Sequence, residues 1–230
     1  MSSLNRFGIR SIIVQTISLI IGLMVLFISA GTLAWINGWL YAGLVSIYWV
    51  ISTVVLARVN PEILNARGNV VKKGTKGFDK IWLFIYPILI FGNLVVMGFD
   101  AVRFQWSFMP FWITILGIVI LIPACVIGTW SMAVNRFFEW TARIQDDRQQ
   151  YVCTTGPYKI IRHPGYAGGI VSILAYPFIL GSWWGFVLTG ISAIIIVIRT
   201  AQEDSMLQNE LPGYREYAKQ VKYRLIPLVW

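Results

Sequence analysis

Long apolar segments alternate with shorter polar ones along most of the chain. Residues 11–33, 38–57, 81–102 and 111–134 are each close to the ~20 apolar residues that a helix needs to cross a bilayer. A proline lies inside the third and the fourth of these segments, where it bends a membrane helix more often than it ends one. The pattern therefore predicts four membrane-spanning helices in the first part of the chain.

The last apolar run, residues 166–198, is too long for one ordinary span. Its middle, residues 181–185, reads GSWWG, which is typical of a tight turn at a membrane interface. The run therefore predicts a helical hairpin with arms at about 166–180 and 185–199. Because the first arm is short and contains Pro177, we expect it to be tilted or to cross only in part.

These segments predict an all-α fold, a polytopic membrane bundle of about six transmembrane helices with a C-terminal hairpin and a cytoplasmic tail. With 57% hydrophobic and 13% charged residues, an ordinary soluble fold is excluded. The tail, residues 199–230, is polar, and a Leu-Pro-Gly break at 211–213 precedes a predicted short helix. We divide the chain into a two-helix membrane anchor, residues 1–57, and a core, residues 58–230.

The basic residues predict the orientation in the membrane. In the six-span arrangement, all 19 Lys and Arg residues except Arg103 fall on one side, in the N-terminus, residues 58–80, residues 135–164 and the tail. The bias predicts that both termini and both large polar segments are cytoplasmic. The net charge of +9 therefore indicates membrane orientation and not a nucleic-acid partner. Two cysteines and one histidine provide neither a disulfide framework nor the ligand spacing of a metal site.

One polar, irregular stretch stands out beside the hairpin. Residues 156–169 read GPYKIIRHPGYAGG and contain the chain's single histidine, His163, between Arg162 and Pro164. The Gly and Pro content excludes a plain helix interior. Irregular polar backbone next to a membrane span must be buried in protein or line a wet cavity. The stretch therefore predicts a ligand site, with an interfacial turn facing lipid headgroups as the alternative.

Two adjacent acids, Glu203 and Asp204, follow the last apolar segment. Acids are poorly placed near the C-terminal end of a helix, where the dipole favours cations. An acid near the membrane plane also needs a partner. That partner is either a cation of a ligand bound at the histidine stretch or Arg199, which lies one helical turn before Glu203.

Other polar residues could reach the same place. Tyr158 and Tyr166 flank the histidine and could hold a purine or a sulfonium cation by stacking and cation–π contact, or could anchor the interface. Asn135, Glu139 and Arg143 recur at four-residue spacing, which predicts one face of a helix. That face either reaches the ligand site or is solvated.

These motifs together resemble a known family. The 156–169 stretch is followed by Glu203-Asp204-x-x-Leu207, then by Pro-Gly-Tyr-x-x-Tyr at 212–217 and Arg-x-x-Pro at 224–227. In order and spacing this resembles the isoprenylcysteine carboxyl methyltransferase family, which is related to the membrane phospholipid N-methyltransferases. The resemblance covers about residues 130–230. It implies an integral-membrane enzyme that uses S-adenosyl-L-methionine, with the cofactor in a pocket closed by the hairpin and the tail.

The resemblance also implies which residues bind the cofactor. Glu203 suits its ammonium group, and Arg162 or nearby backbone amides suit its carboxylate. Asp204 stands where the family has a Glu, one methylene longer. The full set of expected cofactor-binding residues is Tyr158, Arg162, His163, Pro164, Tyr166, Gly168, Glu203, Asp204 and Leu207.

The expected acceptor is lipophilic or small and hydrophobic, and it would enter from the bilayer between helices. Arg143 or Arg199 would hold an acceptor carboxylate, whereas Glu139 would hold an amine and take its proton; with Arg162, these are the expected catalytic residues. The leading expectation is O-methylation of an isoprenylcysteine-like carboxylate. N-methylation of a phospholipid amine and S-methylation of a small thiol are alternatives, and an NADPH-dependent sterol-reductase-like enzyme or a non-enzymatic membrane protein is more distant.

Overall fold

A computed structural model of the chain describes residues 3–69 and 72–230, and within these ranges the regular elements are all helical. Eight α-helices follow one another as α1 Arg6–Ala30, α2 Ile36–Val59, α3 Pro61–Arg67, α4 Gly77–Gly98, α5 Phe111–Val134, α6 Pro164–Leu180, α7 Gly185–Glu210 and α8 Tyr214–Gln220. Five of these, α1, α2, α4, α5 and α7, are long and apolar enough to cross a membrane. The prediction of an all-helical, polytopic membrane bundle is confirmed.

The hairpin predicted from the last apolar run is formed by α6 and α7. With 17 residues, α6 is the short arm and extends for about 25 Å at ~1.5 Å per residue. It nevertheless joins the two ends of the bundle. His163 precedes it beside the C-terminal tail, while Ser182 follows it and donates to Asp100 at the opposite end, with Oγ and Oδ2 2.6 Å apart. The count of six spans stays a prediction, because α6 is shorter than the five others.

Two glycines let α5 and α6 pack closely. A Cβ atom added to Gly168 on α6 would lie 2.8 Å from the carbonyl oxygen of Ala124, and one added to Gly117 on α5 would lie 2.8 Å from Phe178. Small residues at such crossings allow membrane helices to approach backbone to backbone. This contact fixes the first turns of α6, which carry the residues after His163. The N-terminal helices also contact this core, α1 through α3 and α4 and α2 through α5 and α6, and the division at residue 57 stays a prediction.

The segment after α5 corrects one expectation. The spacing of Asn135, Glu139 and Arg143 predicted a helix, but α5 ends at Val134 and the chain is irregular to residue 145. Side-chain bonds to the backbone compete with helix formation here. The Asn135 side-chain oxygen accepts from the Phe137 backbone amide at 3.0 Å, and the Gln145 side-chain amide donates to the Phe137 carbonyl at 2.7 Å.

The C-terminal tail folds back onto the histidine stretch. After α7, Gly213 adopts a left-handed conformation (φ 80°), which reverses the chain into α8 as the Leu-Pro-Gly break predicted. The segment beyond α8 then runs beside residues 162–163. The amides of Arg162 and His163 donate to the carbonyls of Tyr223 and Arg224, each at 2.9 Å. The tail is therefore part of the wall around the histidine.

Candidate functional site

A cavity lies at the end of the bundle where the 135–164 segment, α6, α7 and the tail meet. Its lining contains both His163 and Glu203, which the sequence analysis expected to share one site. The cavity is narrow, with a volume of about 80 Å³, against ~300–1,000 Å³ for typical small-molecule sites. A ligand as large as a nucleoside therefore requires the walls to separate. Of the expected site residues, those in the lining are Glu139, Arg143, Tyr158, Arg162, His163, Tyr166, Arg199, Glu203 and Leu207.

Glu203 presents a largely buried carboxylate to this cavity. Its Oε2 accepts a 2.5 Å hydrogen bond from the hydroxyl of Tyr166 on the neighbouring helix and lies 3.5 Å from Nη1 of Arg199. Its other oxygen, Oε1, has no hydrogen-bond donor among residues 3–69 and 72–230. The side chain is 21% exposed, on the side of the cavity. The arrangement leaves one carboxylate oxygen able to accept from a ligand cation.

Asp204, the adjacent acid, has a different position. It is fully buried and does not contribute to the described lining, so its expected role as a cofactor ligand does not match its place in the fold. Instead it connects the histidine stretch, α7, α8 and the tail. Its two oxygens lie within 2.7–3.2 Å of donors on Arg162, His163, Gln208, Tyr214 and Arg224.

Arg162 lines the cavity but is engaged within the protein. Its Nε and Nη2 donate to Asp204 at 2.7 and 3.0 Å, and its Nη1 donates to the carbonyls of Val221 and Lys222, both at 2.8 Å. Burial opposes the charge of this guanidinium, but the hydrogen bonds to Asp204 outweigh it and raise the pKa of Arg162. Few of the guanidinium N–H groups therefore remain for the expected contact with a cofactor carboxylate. Arg162 mainly connects the turn before α6 to the C-terminal tail.

Glu139 and Arg143 meet at the cavity wall although no helix connects them. Glu139 accepts from Lys72 at 2.7 Å and from Arg143 at 3.1 Å, and Arg148 lies 3.4 Å away. Arg143 also pairs with Asp147 at 2.6 Å, and this hydrogen bond holds the pKa of the Asp147 carboxyl below its usual value. The carboxylate that an amine acceptor would need is therefore already occupied by cations of the protein. The expected role of Glu139 as a base is thus disfavoured.

Arg199 has a partner that the sequence analysis missed. Its Nε and Nη2 donate to the two oxygens of Asp79 at 2.7 and 2.8 Å, and Nη2 also donates to the Trp140 carbonyl at 3.1 Å. Asp79 lies in the first turn of α4, is fully buried and accepts from the amide of Ala142 as well. The signal in the sequence was an isolated acid at the start of an apolar helix, which needs a partner.

The remaining expected residues divide into two groups. Tyr158 and Leu207 line the cavity, and the Tyr158 hydroxyl accepts from Asn135 at 3.0 Å. Burial raises the pKa of Tyr158, so this phenol is neutral at physiological pH. Pro164 and Gly168 do not line it: Pro164 is the buried first residue of α6, and Gly168 faces α5. Their contribution is to the position of α6.

Part of this chain is similar to a family of membrane methyltransferases. A model of the phospholipid methyltransferase family matches residues 112–212, which extend from α5 to the end of α7. The uncharacterized protein YpbQ of Bacillus subtilis (strain 168) is 23% identical over 168 residues, covering 70% of this chain and 96% of YpbQ.

Among solved structures, the fold is similar to that of the eukaryotic intramembrane Ras methyltransferase ICMT (isoprenylcysteine carboxyl methyltransferase). The TM-score is 0.64 at 20% identity, over 92% of this chain and 74% of that one. At this identity the likeness concerns the fold. With the family match, it confirms the resemblance predicted from the motifs around His163 and Glu203.

Proposed function

We propose that this chain, an integral-membrane protein related to the phospholipid and isoprenylcysteine methyltransferases, transfers a methyl group from S-adenosyl-L-methionine to a lipophilic acceptor. The observation that carries the proposal is Glu203, a largely buried carboxylate beside two aromatic rings, one of whose oxygens accepts no hydrogen bond from the part of the chain that the structure describes. S-adenosyl-L-methionine has an ammonium group that fits such an oxygen, and when bound it supplies a methyl group on a positively charged sulfur.

The cavity residues fit the other parts of this cofactor. The rings of His163 and Tyr166 are stacked at 19° with their centroids 5.8 Å apart, so they form one aromatic surface. Such a surface suits a purine ring or a sulfonium cation. Two further contacts hold Tyr166 in place. Its hydroxyl donates to Glu203, and the guanidinium carbon of Arg199 lies 5.0 Å from the centroid of its ring. The aromatic wall is therefore preorganised by hairpin contacts, which favours alignment and exclusion of water.

The charges around the cavity favour an acidic acceptor. A carboxylate is already an anion at neutral pH and needs no proton removed, whereas an ammonium acceptor needs a base. Glu139, the residue expected to act as that base, is bound by cations. We therefore propose a carboxylate acceptor of the isoprenylcysteine type over a phospholipid amine. We place the cavity on the cytoplasmic side, because the segments around it carry nearly all of the Lys and Arg residues.

Cofactor binding tests the first part of this proposal. We expect the full chain in detergent to bind S-adenosyl-L-methionine in a calorimetric titration. Glu203→Gln removes one charge from the cavity. Because a hydrogen bond between charged groups contributes ~1.5–3 kcal/mol, we expect this variant to bind the cofactor roughly 10- to 100-fold more weakly. Glu210→Gln on the same helix, exposed and paired with Lys76, should bind as the wild type does. A folded wild-type protein that does not bind the cofactor contradicts the proposal.

Acceptor identity requires a separate experiment. Reconstituted protein is incubated with methyl-labelled cofactor and, in parallel, with N-acetyl-S-farnesylcysteine, phosphatidylethanolamine or an alkyl thiol. We expect the labelled methyl group to appear in the farnesylcysteine product. Mild alkali should release it, as it does from a methyl ester. Label in the amine or the thiol alone would reject the carboxylate acceptor while retaining the methyltransferase.

A further inference from the structure

A second, larger cavity lies between α1 and α4, next to the cavity that contains Glu203. Its volume is about 780 Å³, and its lining is mostly apolar. The lining positions on α1 run from Arg10 to Leu23, a length of about 20 Å at ~1.5 Å per residue. Tyr41 and Leu94 line its deep part, and Arg67 and Trp140 line the end near the polar segments. Its shape and chemistry suit one apolar chain with a polar head.

Arg67, at the end of α3, is unusual among the buried arginines of the described chain. Arg143, Arg162 and Arg199 each pair with at least one carboxylate, whereas Arg67, equally buried, pairs with none among residues 3–69 and 72–230. Its Nε donates to the carbonyl of Phe138 at 3.1 Å. No acceptor within the same ranges bonds to its two Nη groups.

Aromatic rings, and no carboxylate of the described chain, surround the charged group of Arg67. Its guanidinium carbon lies 4.6 Å from the ring centroid of Trp140 and 5.2 Å from that of Phe138, and such contacts stabilise a cation. Burial lowers the pKa of Arg67 to about 10, so the group is still protonated at neutral pH. A planar guanidinium with unbonded nitrogens binds a carboxylate through two parallel hydrogen bonds. The position is therefore complementary to an anion that enters the cavity.

Two contacts link Arg67 to the cavity that contains Glu203. Phe138, whose carbonyl accepts from Arg67, lines that cavity and lies beside Tyr166, with ring centroids 6.3 Å apart. The ring of Trp140 contacts the Arg67 guanidinium, and the Trp140 carbonyl accepts a hydrogen bond from Arg199. Arg199 also lines the cavity that contains Glu203. An anionic head at Arg67 is thus one layer of side chains away from the other cavity. Its carboxylate reaches the methyl donor when this layer moves aside, as the walls must do to admit a nucleoside.

Resting on the function proposed above, we infer that Arg67 anchors the acidic head of the methyl acceptor, and that the acceptor's single apolar tail occupies the cavity between α1 and α4. This assignment replaces Arg143 and Arg199, which the sequence analysis expected for this role and which the fold pairs with Glu139 and Asp79. It specifies the acceptor as a one-tailed lipophilic acid.

Binding of an acid and its uncharged ester tests the inference without any methyl transfer. Equilibrium binding of N-acetyl-S-farnesylcysteine and of its methyl ester is measured in lipid nanodiscs that contain the full chain. We expect the acid to bind at least about tenfold more tightly than the ester, the effect of ~1.4 kcal/mol. Arg67→Gln should remove the preference and leave ester binding unchanged. Arg67→Lys should keep part of it, and Arg58→Gln, at an exposed position in the last turn of α2, should keep all of it.

A second pair of variants locates the tail. Gly22 lines the cavity, and a Cβ there would lie 3.4 Å from Leu94, so Gly22→Leu fills space and should weaken binding of acid and ester alike. Gly43→Leu, where an added Cβ meets nothing within 4 Å, is the matched control. Equal binding of acid and ester by the wild type, or a preference that survives Arg67→Gln, would overturn the inference. Because no cofactor is present, this outcome is distinct from a failure to bind S-adenosyl-L-methionine.

Discussion

The Arg162 guanidinium and the Asp204 carboxylate form two parallel hydrogen bonds, with Nε–Oδ1 at 2.7 Å and Nη2–Oδ2 at 3.0 Å. One residue belongs to the irregular stretch before α6 and the other to α7, so the pair joins the two arms of the hairpin. Because Asp204 also accepts from Tyr214 and Arg224, it connects α8 and the tail to the same point. The cavity that contains Glu203 is thereby closed around Asp204, which is fully buried and does not contribute to the described lining.

Asp204→Asn should destabilise the protein strongly. Removing one partner of a buried ion pair leaves an uncompensated charge, with a cost of about 3–5 kcal/mol. We expect the free energy of unfolding to fall by this amount. Denaturant unfolding in detergent, monitored by circular dichroism, measures it. Asp146→Asn, at an exposed position that forms no ion pair with residues 3–69 or 72–230, is the control and should change stability little. Equal stability of the two variants would mean that the Asp204 cluster does not hold the tail.

Gly168→Ala should destabilise the contact between α5 and α6, whereas Gly169→Ala should not. The new methyl group at Gly168 would lie 2.8 Å from the Ala124 carbonyl oxygen, and overpacking of this kind costs about 1–3 kcal/mol. At Gly169 nothing lies within 4 Å, and Ala is favoured over Gly within a helix by up to ~1 kcal/mol. Thermal unfolding of the two proteins should therefore shift in opposite directions. A similar shift for both would show that the helices are not packed at Gly168.

Tyr166→Phe should leave the fold intact and weaken cofactor binding. The change removes the hydroxyl that holds Glu203 Oε2 at 2.5 Å, a bond between a neutral and a charged group. A hydrogen bond of this kind contributes ~1.5–3 kcal/mol. Without it the Glu203 carboxylate is less well ordered for the cofactor, so we expect the affinity to fall by roughly tenfold. Calorimetric titration with S-adenosyl-L-methionine measures it. Tyr223→Phe, in the tail, provides the comparison, and unchanged affinity in Tyr166→Phe would separate the hydroxyl from the cofactor site.

Asp79 and Arg199 should behave as a coupled pair. Arg199→Met removes the guanidinium that pairs with buried Asp79, and Asp79→Leu leaves Arg199 with only its longer contact to Glu203. Each change should lower the free energy of unfolding by about 3–5 kcal/mol. The double variant removes both charges, and we expect it to lose clearly less than the two single losses combined. Denaturant unfolding of all four proteins gives the coupling energy. Additive losses would indicate that the two side chains do not depend on each other.

The local parts of this structure could be predicted from sequence. Helix positions follow from the length of each apolar run, and the hairpin turn follows from the residues of 181–185, because both signals are contained within a short segment. Spacing alone was misleading after Val134, where a four-residue repeat predicted a helix. There, the side chains of Asn135 and Gln145 form hydrogen bonds with the backbone of Phe137, the first as acceptor and the second as donor, and the chain is irregular.

The ion pairs could not be predicted in the same way, because their members are distant in sequence. Asp79 and Arg199 are 120 positions apart, and no local pattern indicates which acid meets which arginine. The absence of a carboxylate partner at Arg67 is equally invisible in the sequence, since it depends on where every acid of the described chain is placed.

The sequence by itself determined that this is a helical membrane protein, and it predicted that the chemistry lies near His163 and the acidic pair. Only the tertiary structure decided which acid faces the cavity. Glu203 and Asp204 are neighbours on α7, and successive residues of an α-helix point about 100° apart. The packing of α7 against α6 and the tail therefore directs Glu203 to the cavity and Asp204 to the buried cluster. Helix orientation is set by contacts over the whole bundle, and no short segment encodes it.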